Sequence, residues 1–404
     1  MRNINIDRLP ITLLLALSII LPSSNVLGIN YKAILLIALT AQIFKKLLKS
    51  KLNRLSLMQL YFSLAFVIIF TFVARVNDID FKSTISQAAA FGDAFAILWL
   101  TIALVKYGVV EIKHVIYTII YSSAAASITK ILMYGALMAG YPLTALKLDI
   151  LQIFEINLVG MHVGDFYRVS FVSDNLLPAI LFTLLAGSSI QINIGPMRRL
   201  FIIFLTLASI AISYSRYLWF AALFAAVLQI LFLIKSKNYI KIILFVMVSV
   251  VFVAVIYFNI NFIINRYIGN NADASDLTRF IMLHALIERF YSYPILGAGL
   301  GAATPGFINI AAVPWYYELQ WLAFVMQFGV IGSLFLLVSS TYWIGLRLYL
   351  SLNVNLIGLA TMYILWLGTA VFNGFMLTGV GGVIFLYFYL ISELNRESKK
   401  NAIA

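Results

Sequence analysis

Long apolar runs separated by short polar stretches dominate this chain. The runs cover residues 10–28, 31–44, 57–74, 84–105, 115–135, 175–194, 200–214, 217–234, 242–260, 317–345, 355–372 and 376–391. A helix needs roughly 20 apolar residues to cross a bilayer, and most of the runs approach that length. No sustained period-2 alternation, which is typical of membrane β-strands, is present in the sequence. The pattern predicts an all-α polytopic membrane protein with about 12 transmembrane helices.

Composition supports the same class. Of 404 residues, 63% are hydrophobic and 11% charged, whereas soluble domains have roughly 45–50% and about 25%. A soluble globular protein is therefore excluded, and we expect one membrane domain over residues 1–404. The first run lacks a cleavage-site pattern, so we interpret it as a retained anchor. The absence of cysteine excludes disulfides, thiolate metal sites and a thiol nucleophile. We expect no cofactor and no bound metal.

The distribution of charge predicts orientation. If the N-terminus is cytoplasmic, the cytoplasmic segments hold 18 of the 28 basic residues but only 4 of the 15 acidic ones. The other side then holds 10 basic and 11 acidic residues, so the whole net charge of +13 follows the positive-inside rule. Both termini are predicted to be cytoplasmic, and nucleic acid is not needed as a partner to explain the charge.

Two long stretches on the outer side, 136–174 and 261–316, are too polar to span a membrane and too apolar to be plain linkers. We predict that they are large periplasmic loops containing helices. In the first, apolar residues recur at helical spacing between Leu146 and Leu158, which predicts a helix lying in the membrane interface. That helix is either a surface anchor or one wall of a lipid-facing groove.

Arg216 interrupts an apolar stretch where two predicted helices meet at the outer surface. An arginine at membrane depth costs several kcal/mol unless it is paired or reaches the interface, so it is a candidate functional residue. The alternative is a turn residue that extends outward to water.

The second loop contains a predicted helix that Pro294 ends and that Asp276 or Thr278 caps at its N-terminus. Arg279 would then lie in the first turn, where exposed backbone N–H groups also favour anions. A guanidinium fork beside a helix N-terminus matches the requirements of a phosphate or diphosphate.

A glycine-rich run, Gly297 to Gly301, follows that helix. It follows no strand and lacks a following lysine, so it matches neither nucleotide-binding fingerprint. We expect a close backbone turn over substrate or lipid.

Glu318 is the only acidic residue between Pro314 and Gly332, where the chain enters the next predicted helix. An unpaired carboxylate at the membrane boundary is costly. Glu318 therefore pairs with an outer arginine, takes part in proton chemistry or orients an acceptor, or lies in solvent.

The second loop contains Arg279, then Ala285-Leu286, then Pro294-Ile295-Leu296-Gly297-Ala298-Gly299, and a run from an acid to a glycine comes later. This series of motifs resembles the signature of the O-antigen ligase and O-antigen polymerase superfamily. The resemblance covers about 200–335. It implies that two outer-face arginines, matching Arg216 and Arg279, hold the diphosphate of an undecaprenyl-linked glycan.

Ligases of this superfamily carry a histidine that engages the acceptor hydroxyl. Alignment on Gly329 places Glu318 at that histidine, Trp321 at a tyrosine and Gln327 at a glutamate of the ligase pattern. The histidine is missing here, which favours a polymerase in which a glutamate serves as base or orients the acceptor.

The sequence thus predicts a membrane glycosyltransferase that polymerises undecaprenyl-diphosphate-linked repeat units on the periplasmic face of a bacterial inner membrane, by an inverting, metal-independent mechanism. Arg216, Arg279 and Glu318 are the predicted catalytic residues. Its partners would be the lipid-linked oligosaccharide, membrane lipid and a membrane protein that regulates chain length. Weaker substrate-binding candidates are Arg168, His284, Arg289, Trp315, Tyr316 and Tyr317. The three aromatic residues fit an interfacial belt equally well.

Two other functions remain open at this stage. One is an O-antigen ligase, which differs in its acceptor. The other is a flippase or transporter of lipid-linked oligosaccharide. Transporters favour charged residues near the bilayer midplane, whereas only Lys130 is expected to lie deep here.

Overall fold

The computed structural model describes residues 6–21, 25–26, 29–47, 54–142, 161–163, 166–186, 190, 192–235, 270–310, 313–341, 354–370, 374 and 376–403. Twelve α-helices lie within these residues. In chain order they are α1 (Leu9–Ile20), α2 (Tyr31–Leu47), α3 (Arg54–Val76), α4 (Phe81–Lys106), α5 (Ile112–Met138), α6 (Leu177–Ala186), α7 (Pro196–Ile212), α8 (Arg216–Lys235), α9 (Asn270–Ser292), α10 (Gln320–Ser340), α11 (Val354–Thr369) and α12 (Gly379–Ile403).

The β-strands of the described residues form two short antiparallel hairpins, and an isolated bridge joins Thr304 and Phe307. Strand β1 (Asn25–Val26) pairs with β2 (Ile29–Asn30). Strand β3 (Met161–Val163) pairs with β4 (Phe166–Arg168). The second hairpin lies in the first predicted loop, where the sequence indicated only a helix. That predicted interface helix, between residues 146 and 158, lies outside the described residues.

The prediction of a mostly helical protein is confirmed. In the part of the chain that the structure describes, four helices are long and apolar enough to cross a membrane: Met58–Val76, Phe81–Lys106, Ile112–Met138 and Gln320–Ser340. Four shorter apolar helices accompany them: Leu9–Ile20, Val172–Ala186, Arg216–Leu231 and Leu356–Thr369. The count of about 12 spans stays a prediction, and the expected span at 242–260 lies outside the described residues.

Two of the predicted apolar runs form shorter helices than expected. The first run ends as a helix at Ile20, two residues before Pro22, which supplies no N–H and disfavours helix in the residue before it. The run at 175–194 begins inside a 3-10 helix (Val172–Leu176) and continues as α6. There the Asp174 carboxylate accepts the Phe171 N–H, and this local bond competes with regular α-helix.

Helix α12 lies at the centre of the packed core. From Val383 to Ile391 its side chains are all aliphatic or aromatic and are buried in every direction, as expected of a helical stretch that is apolar all round. It packs closely against α4, where a Cβ on Gly382 would lie 2.4 Å from the Ala94 carbonyl oxygen. This close approach explains why a glycine stands at the crossing point of the two helices.

A cluster of phenylalanines joins α3, α4 and α10. The Phe328 ring of α10 lies 4.9 Å from Phe70 and 5.1 Å from Phe66 on α3, and 5.6 Å from Phe91 on α4. The tilted and edge-on arrangements are those that aromatic rings prefer. This cluster fixes α10, and with it the chain that precedes α10, against the helical bundle.

Several helices carry large apolar side chains on the surface of the molecule. On α3, Ile68 and Phe72 are 67% and 69% exposed, and on α7 Phe204 is 66% exposed. Contiguous exposed apolar surface of this kind is rare on soluble monomers and typical of membrane or protein contact.

The bundle has two chemically different ends. At one end Arg8 pairs with Glu111 at 2.9 Å, beside the short connection between α4 and α5. At the other, the last turn of α3 and the start of α4 meet the chain between α9 and α10, through Gly299 and Gly301. We call this second end the glycine-loop end.

Candidate functional site

An ion pair at the glycine-loop end joins two residues that the sequence singled out. The Arg279 Nε atom on α9 lies 3.1 Å from the Glu318 Oε2 atom. The side chains are 29% and 39% exposed, so both remain accessible to solvent or to a ligand. Of the three outcomes expected for Glu318, the structure shows pairing with an arginine, Arg279.

Apolar packing positions Arg279. Met282 and Leu286, which follow Arg279 at helical spacing, are fully buried in one cluster with Ala323 and Met326 of α10. This packing brings the Arg279 side of α9 toward the start of α10. The polar pair thus lies at the margin of an apolar helix–helix contact.

The main chain around Glu318 is fixed on both sides. The preceding residue, Tyr317, is 1% exposed, and its hydroxyl accepts the Thr304 N–H at 2.7 Å. Two residues after Glu318, the Gln320 side chain accepts the Met376 N–H at 2.8 Å, before α12 begins. Glu318 therefore projects from a short segment held at each end by buried hydrogen bonds.

The structure corrects the predicted start of α9. The helix begins at Asn270, so Asp276 and Thr278 lie within it and do not cap its N-terminus. Arg279 is the tenth residue of α9 and lies in its third turn, beyond the reach of the free N–H groups of the first turn. An anion at Arg279 would therefore be held by side chains. The predicted C-terminal end is confirmed, since α9 stops at Ser292, two residues before Pro294.

The glycine run forms a backbone turn packed against protein. Gly297, Gly299 and Gly301 have φ of 71°, 95° and 79°, which L side chains rarely adopt. A Cβ on Gly299 would lie 2.3 Å from the Ala74 nitrogen of α3. A Cβ on Gly301 would lie 2.4 Å from the Thr84 nitrogen of α4. A close turn was predicted, but its described neighbours are the backbones of α3, α4 and α10.

This turn packs against a kink in α10. Gly329 has φ 61° and ψ −169°, which breaks the regular helix. The Gly299 N–H donates to the Gln327 carbonyl at 2.8 Å, and the Val330 N–H donates to the Pro294 carbonyl at 3.0 Å. The backbone groups freed by the kink thus bond to the glycine run. Gly329, chosen from the sequence as an alignment point, is a structural junction.

Two buried glutamines, which the sequence did not single out as a pair, fix the same junction. Gln87 Nε2 of α4 donates to Gln327 Oε1 at 2.8 Å, and both side chains are buried. Gln327 Nε2 donates to the Ala302 carbonyl at 3.1 Å, and the Gly301 N–H donates to Gln87. The available signal was a glutamine inside each of two apolar spans, since buried amides require partners. Gln327, at the glutamate position of the ligase pattern, supports the loop.

The three aromatic residues before Glu318 occupy different environments. Tyr317 lies in the core, so neither face of its ring is open to stack on a sugar. Tyr316 packs against the chain at Gly374, where a Cβ would lie 2.4 Å from its ring. Burial, and then the nearby Glu318 carboxylate, raise the pKa of Tyr316, so its hydroxyl is neutral near pH 7. Trp315 is half-buried.

The remaining candidates on α9 lie away from the ion pair. His284 is exposed and its ring lies 4.4 Å from that of Phe280. It is five residues after Arg279, which places it about 140° around the helix. Arg289 lies with its guanidinium 5.0 Å from the ring centre of Tyr293. It is ten residues after Arg279, roughly 15 Å along the helix axis.

Arg216 begins α8, directly after the turn that ends α7. Arg168, at the end of β4, donates from Nε to the Ser213 carbonyl in that turn at 3.1 Å. Both arginines are half-buried. The structure thus brings Arg168 to the turn that carries Arg216, whereas the approach of Arg216 to Arg279 and Glu318 stays a prediction.

A buried ion pair lies below that turn. Lys130 Nζ of α5 is 2.6 Å from Asp174 Oδ2, and the two side chains are 0% and 5% exposed. Lys130 was the only basic residue expected to lie deep, and a buried charge needs a partner. The sequence therefore indicated that a partner exists, but Asp174 lies 44 positions away and its contact is a tertiary one.

Comparisons with known proteins add no family to this description. No protein-family model matches the chain, and a search of curated protein sequences gives no significant match.

Proposed function

We propose that this protein is a membrane glycosyltransferase that extends a glycan carried on a polyprenyl diphosphate, acting at the glycine-loop end on the outer face of the membrane. The Arg279–Glu318 contact is the observation that carries the proposal. It places an anion-binding group 3.1 Å from a carboxylate that can accept a proton. Exposed apolar faces on α3 and α7, together with the charge distribution along the chain, support a membrane location.

The reaction needs few groups. A sugar hydroxyl of the acceptor unit attacks the anomeric carbon of the donor glycan, and the bond from that carbon to the diphosphate oxygen breaks. Glu318 takes the hydroxyl proton, while arginine side chains stabilise the negative charge gained by the departing diphosphate. Attack opposite the leaving group inverts the anomeric configuration. The products are a lengthened lipid-linked glycan and a free polyprenyl diphosphate.

The resting ion pair suggests how donor binding prepares the site. Because both side chains are about one-third exposed, the pair contributes only about 0–1 kcal/mol. Hydrogen bonds to charged groups contribute roughly 1.5–3 kcal/mol, and a diphosphate offers several of them to one guanidinium. The diphosphate therefore displaces Glu318 from Arg279. Once displaced from Arg279, the Glu318 carboxylate is available to the acceptor hydroxyl, so donor binding would precede acceptor activation.

Arg216 is the second arginine of the proposal. Its place at the start of a 20-residue helix puts it at the positive end of the helix dipole, which favours phosphate oxygens. Two arginines on separate elements would hold the two phosphoryl groups from different directions. The resemblance to the polymerase and ligase superfamily, in which two outer-face arginines hold the diphosphate, is consistent with this role.

The direct test is chain extension by purified protein, using polyprenyl-diphosphate-linked repeats without ATP or sugar nucleotide. Arg279→Ala and Glu318→Gln should lose most activity, and Arg279→Lys should also be impaired because an ammonium lacks the planar fork. Glu288→Gln, an exposed carboxylate on α9, and Arg75→Lys, an exposed arginine in the last turn of α3, are matched controls. Normal ladders from Arg279→Ala at normal protein levels would refute the proposal.

Transport of a lipid-linked glycan is a second candidate, which the Lys130–Asp174 pair favours because buried charges in membrane helices often mark transport pathways. Chain extension in detergent, where no membrane separates two compartments, would identify the enzyme. A protein that moves labelled lipid-linked glycan across a vesicle membrane but never lengthens it would be the transporter. Transfer of finished glycan to a non-polyprenyl acceptor would identify the ligase.

A further inference from the structure

We propose that the buried Lys130–Asp174 pair is a positioning element for the turn between α7 and α8, and through that turn for Arg216. This inference rests on the proposed function, in which Arg216 holds the donor diphosphate. Neither Lys130 nor Asp174 needs to touch the substrate. Their effect is to fix where α8 begins.

The pair is part of a larger hydrogen-bonded network. Besides its 2.6 Å contact with Asp174, Lys130 Nζ donates to the Ser209 carbonyl in the last turn of α7 at 2.7 Å. Asp174 Oδ2 also accepts the Phe171 N–H at 2.9 Å. One ammonium therefore ties α5, the 3-10 helix and the C-terminal end of α7 together.

The final carbonyl groups of a helix have no partner within that helix, and cations near them are favourable. At the end of α7, neighbouring elements donate hydrogen bonds to these carbonyl groups. Arg168 Nε donates to the Ser213 carbonyl at 3.1 Å, and the Val169 N–H donates to Ile212 at 3.2 Å. The Trp219 indole of α8 donates to the Ile210 carbonyl at 3.0 Å. The end of α7 is thus held from β4, from α5 and from α8.

The turn has a backbone conformation that needs such support. Tyr214 has φ 44°, the left-handed region that is unfavourable for a residue with a large side chain. Residues in this strained conformation persist only where the surrounding structure determines them. Arg216 starts α8 two residues later, so a relaxed turn would move the first turn of α8 and its arginine.

A positioning role explains the charges better than stability alone. A buried ion pair is often no more stable than apolar residues of the same volume, because desolvation offsets the attraction. An apolar pair could fill the space below the turn but could not bond the Ser209 carbonyl. What Lys130 adds is a fixed direction for the end of α7. A displacement of about 1 Å at a catalytic group can cost on the order of 100-fold in rate.

The experiment uses the double variant K130M/D174N in the purified full-length protein. Removing both charges avoids leaving one buried and unpaired, which is the costly outcome of either single change. R8Q/E111Q, which removes the exposed ion pair at the other end of the bundle, is the matched control. Melting temperature, kcat and the KM for the lipid-linked donor are measured for each. We expect K130M/D174N to lose about 10- to 100-fold in kcat per folded molecule. R8Q/E111Q should keep wild-type kcat.

A combination with R216A separates positioning from general loss of structure. If the pair acts through Arg216, adding K130M/D174N to R216A should lower the residual kcat by less than about 3-fold, because the two changes remove one effect. Full multiplication of the two losses would overturn the proposal. So would wild-type kcat in K130M/D174N.

If K130M/D174N does not accumulate, W219F decides the question. It keeps an aromatic ring and both charges but removes the indole bond to Ile210, and it should lower kcat with little change in melting temperature. Wild-type kcat in W219F would then reject the positioning role. The proposed function has its own criterion: it fails if R279A is fully active, whereas an inactive R279A beside a fully active K130M/D174N rejects only the positioning role.

Discussion

Because Glu318 pairs with Arg279, we expect the Glu318→Gln variant to bind diphosphate more tightly than the wild type. The same variant should lose turnover. In the resting site the carboxylate lies 3.1 Å from the guanidinium that the donor would use. Glutamine has nearly the same shape but no charge. The substitution therefore removes a competitor for Arg279 and also removes the base.

The size of the expected gain in affinity follows from the solvent exposure of the Arg279 and Glu318 side chains. With side chains 29% and 39% exposed, the pair is screened by water and is worth at most about 1 kcal/mol. Since 1.4 kcal/mol is a factor of ten, removing the competitor should tighten binding by no more than roughly 5-fold. Turnover should fall by about 10²- to 10⁴-fold, the usual contribution of a positioned general base.

The assay is binding of inorganic pyrophosphate to the purified protein by titration calorimetry, at low and at high salt. Glu318→Gln should bind it up to about 5-fold more tightly. The gain should shrink at high salt, because the lost competitor is an electrostatic one. Glu288→Gln, the matched carboxylate on α9, should bind like wild type. Weaker binding by Glu318→Gln would refute the reasoning, since Glu318 would then be helping to hold the anion.

Three further predictions concern the loop that supports the site and the chemistry beside it. Gly299→Ala should markedly lower the melting temperature, because residue 299 has φ 95° and its Cβ would lie 2.3 Å from a backbone nitrogen. The control Gly306→Ala, whose Cβ would have no atom within 4 Å, should keep the wild-type melting temperature. Equal melting temperatures for the two variants would contradict the close packing. Gln327→Leu should cost about 1–3 kcal/mol by leaving buried partners unsatisfied. Unfolding measurements should show part of that loss recovered when Gln87→Leu is added. Tyr316→Phe should leave the shape of the pH–rate profile unchanged, because burial raises the pKa of Tyr316 and keeps it neutral; a lost titration in that profile would assign proton transfer to Tyr316.

The sequence predicted the helices well because their signal is local. The apolar run at 84–105 became α4 (Phe81–Lys106), and that at 115–135 became α5 (Ile112–Met138). It did not predict the 3-10 helix before α6, where the Asp174 side chain accepts a backbone N–H. It also misplaced the start of α9, because Asp276 and Thr278 are good capping residues that here lie within a longer helix.

The candidate site was predicted in part for a similar reason. A lone acid at a membrane boundary and a lone lysine in an apolar span each indicate that a partner is required, because an unpaired charge there is costly. They do not say which residue it is. The Arg279–Glu318 and Lys130–Asp174 contacts join residues 39 and 44 positions apart, and only packing brings them together.

The sequence by itself determined the helical class, the apolar surface and the few charged residues that needed an explanation, since hydrophobicity and charge are properties of individual residues. The tertiary structure decided what each glycine, glutamine and charge contacts. It turned the glycine run into a junction with the backbones of α3, α4 and α10, and it paired Arg279 with Glu318. The physical reason is that hydrogen bonds and ion pairs depend on distances of about 3 Å, which chain separation does not encode.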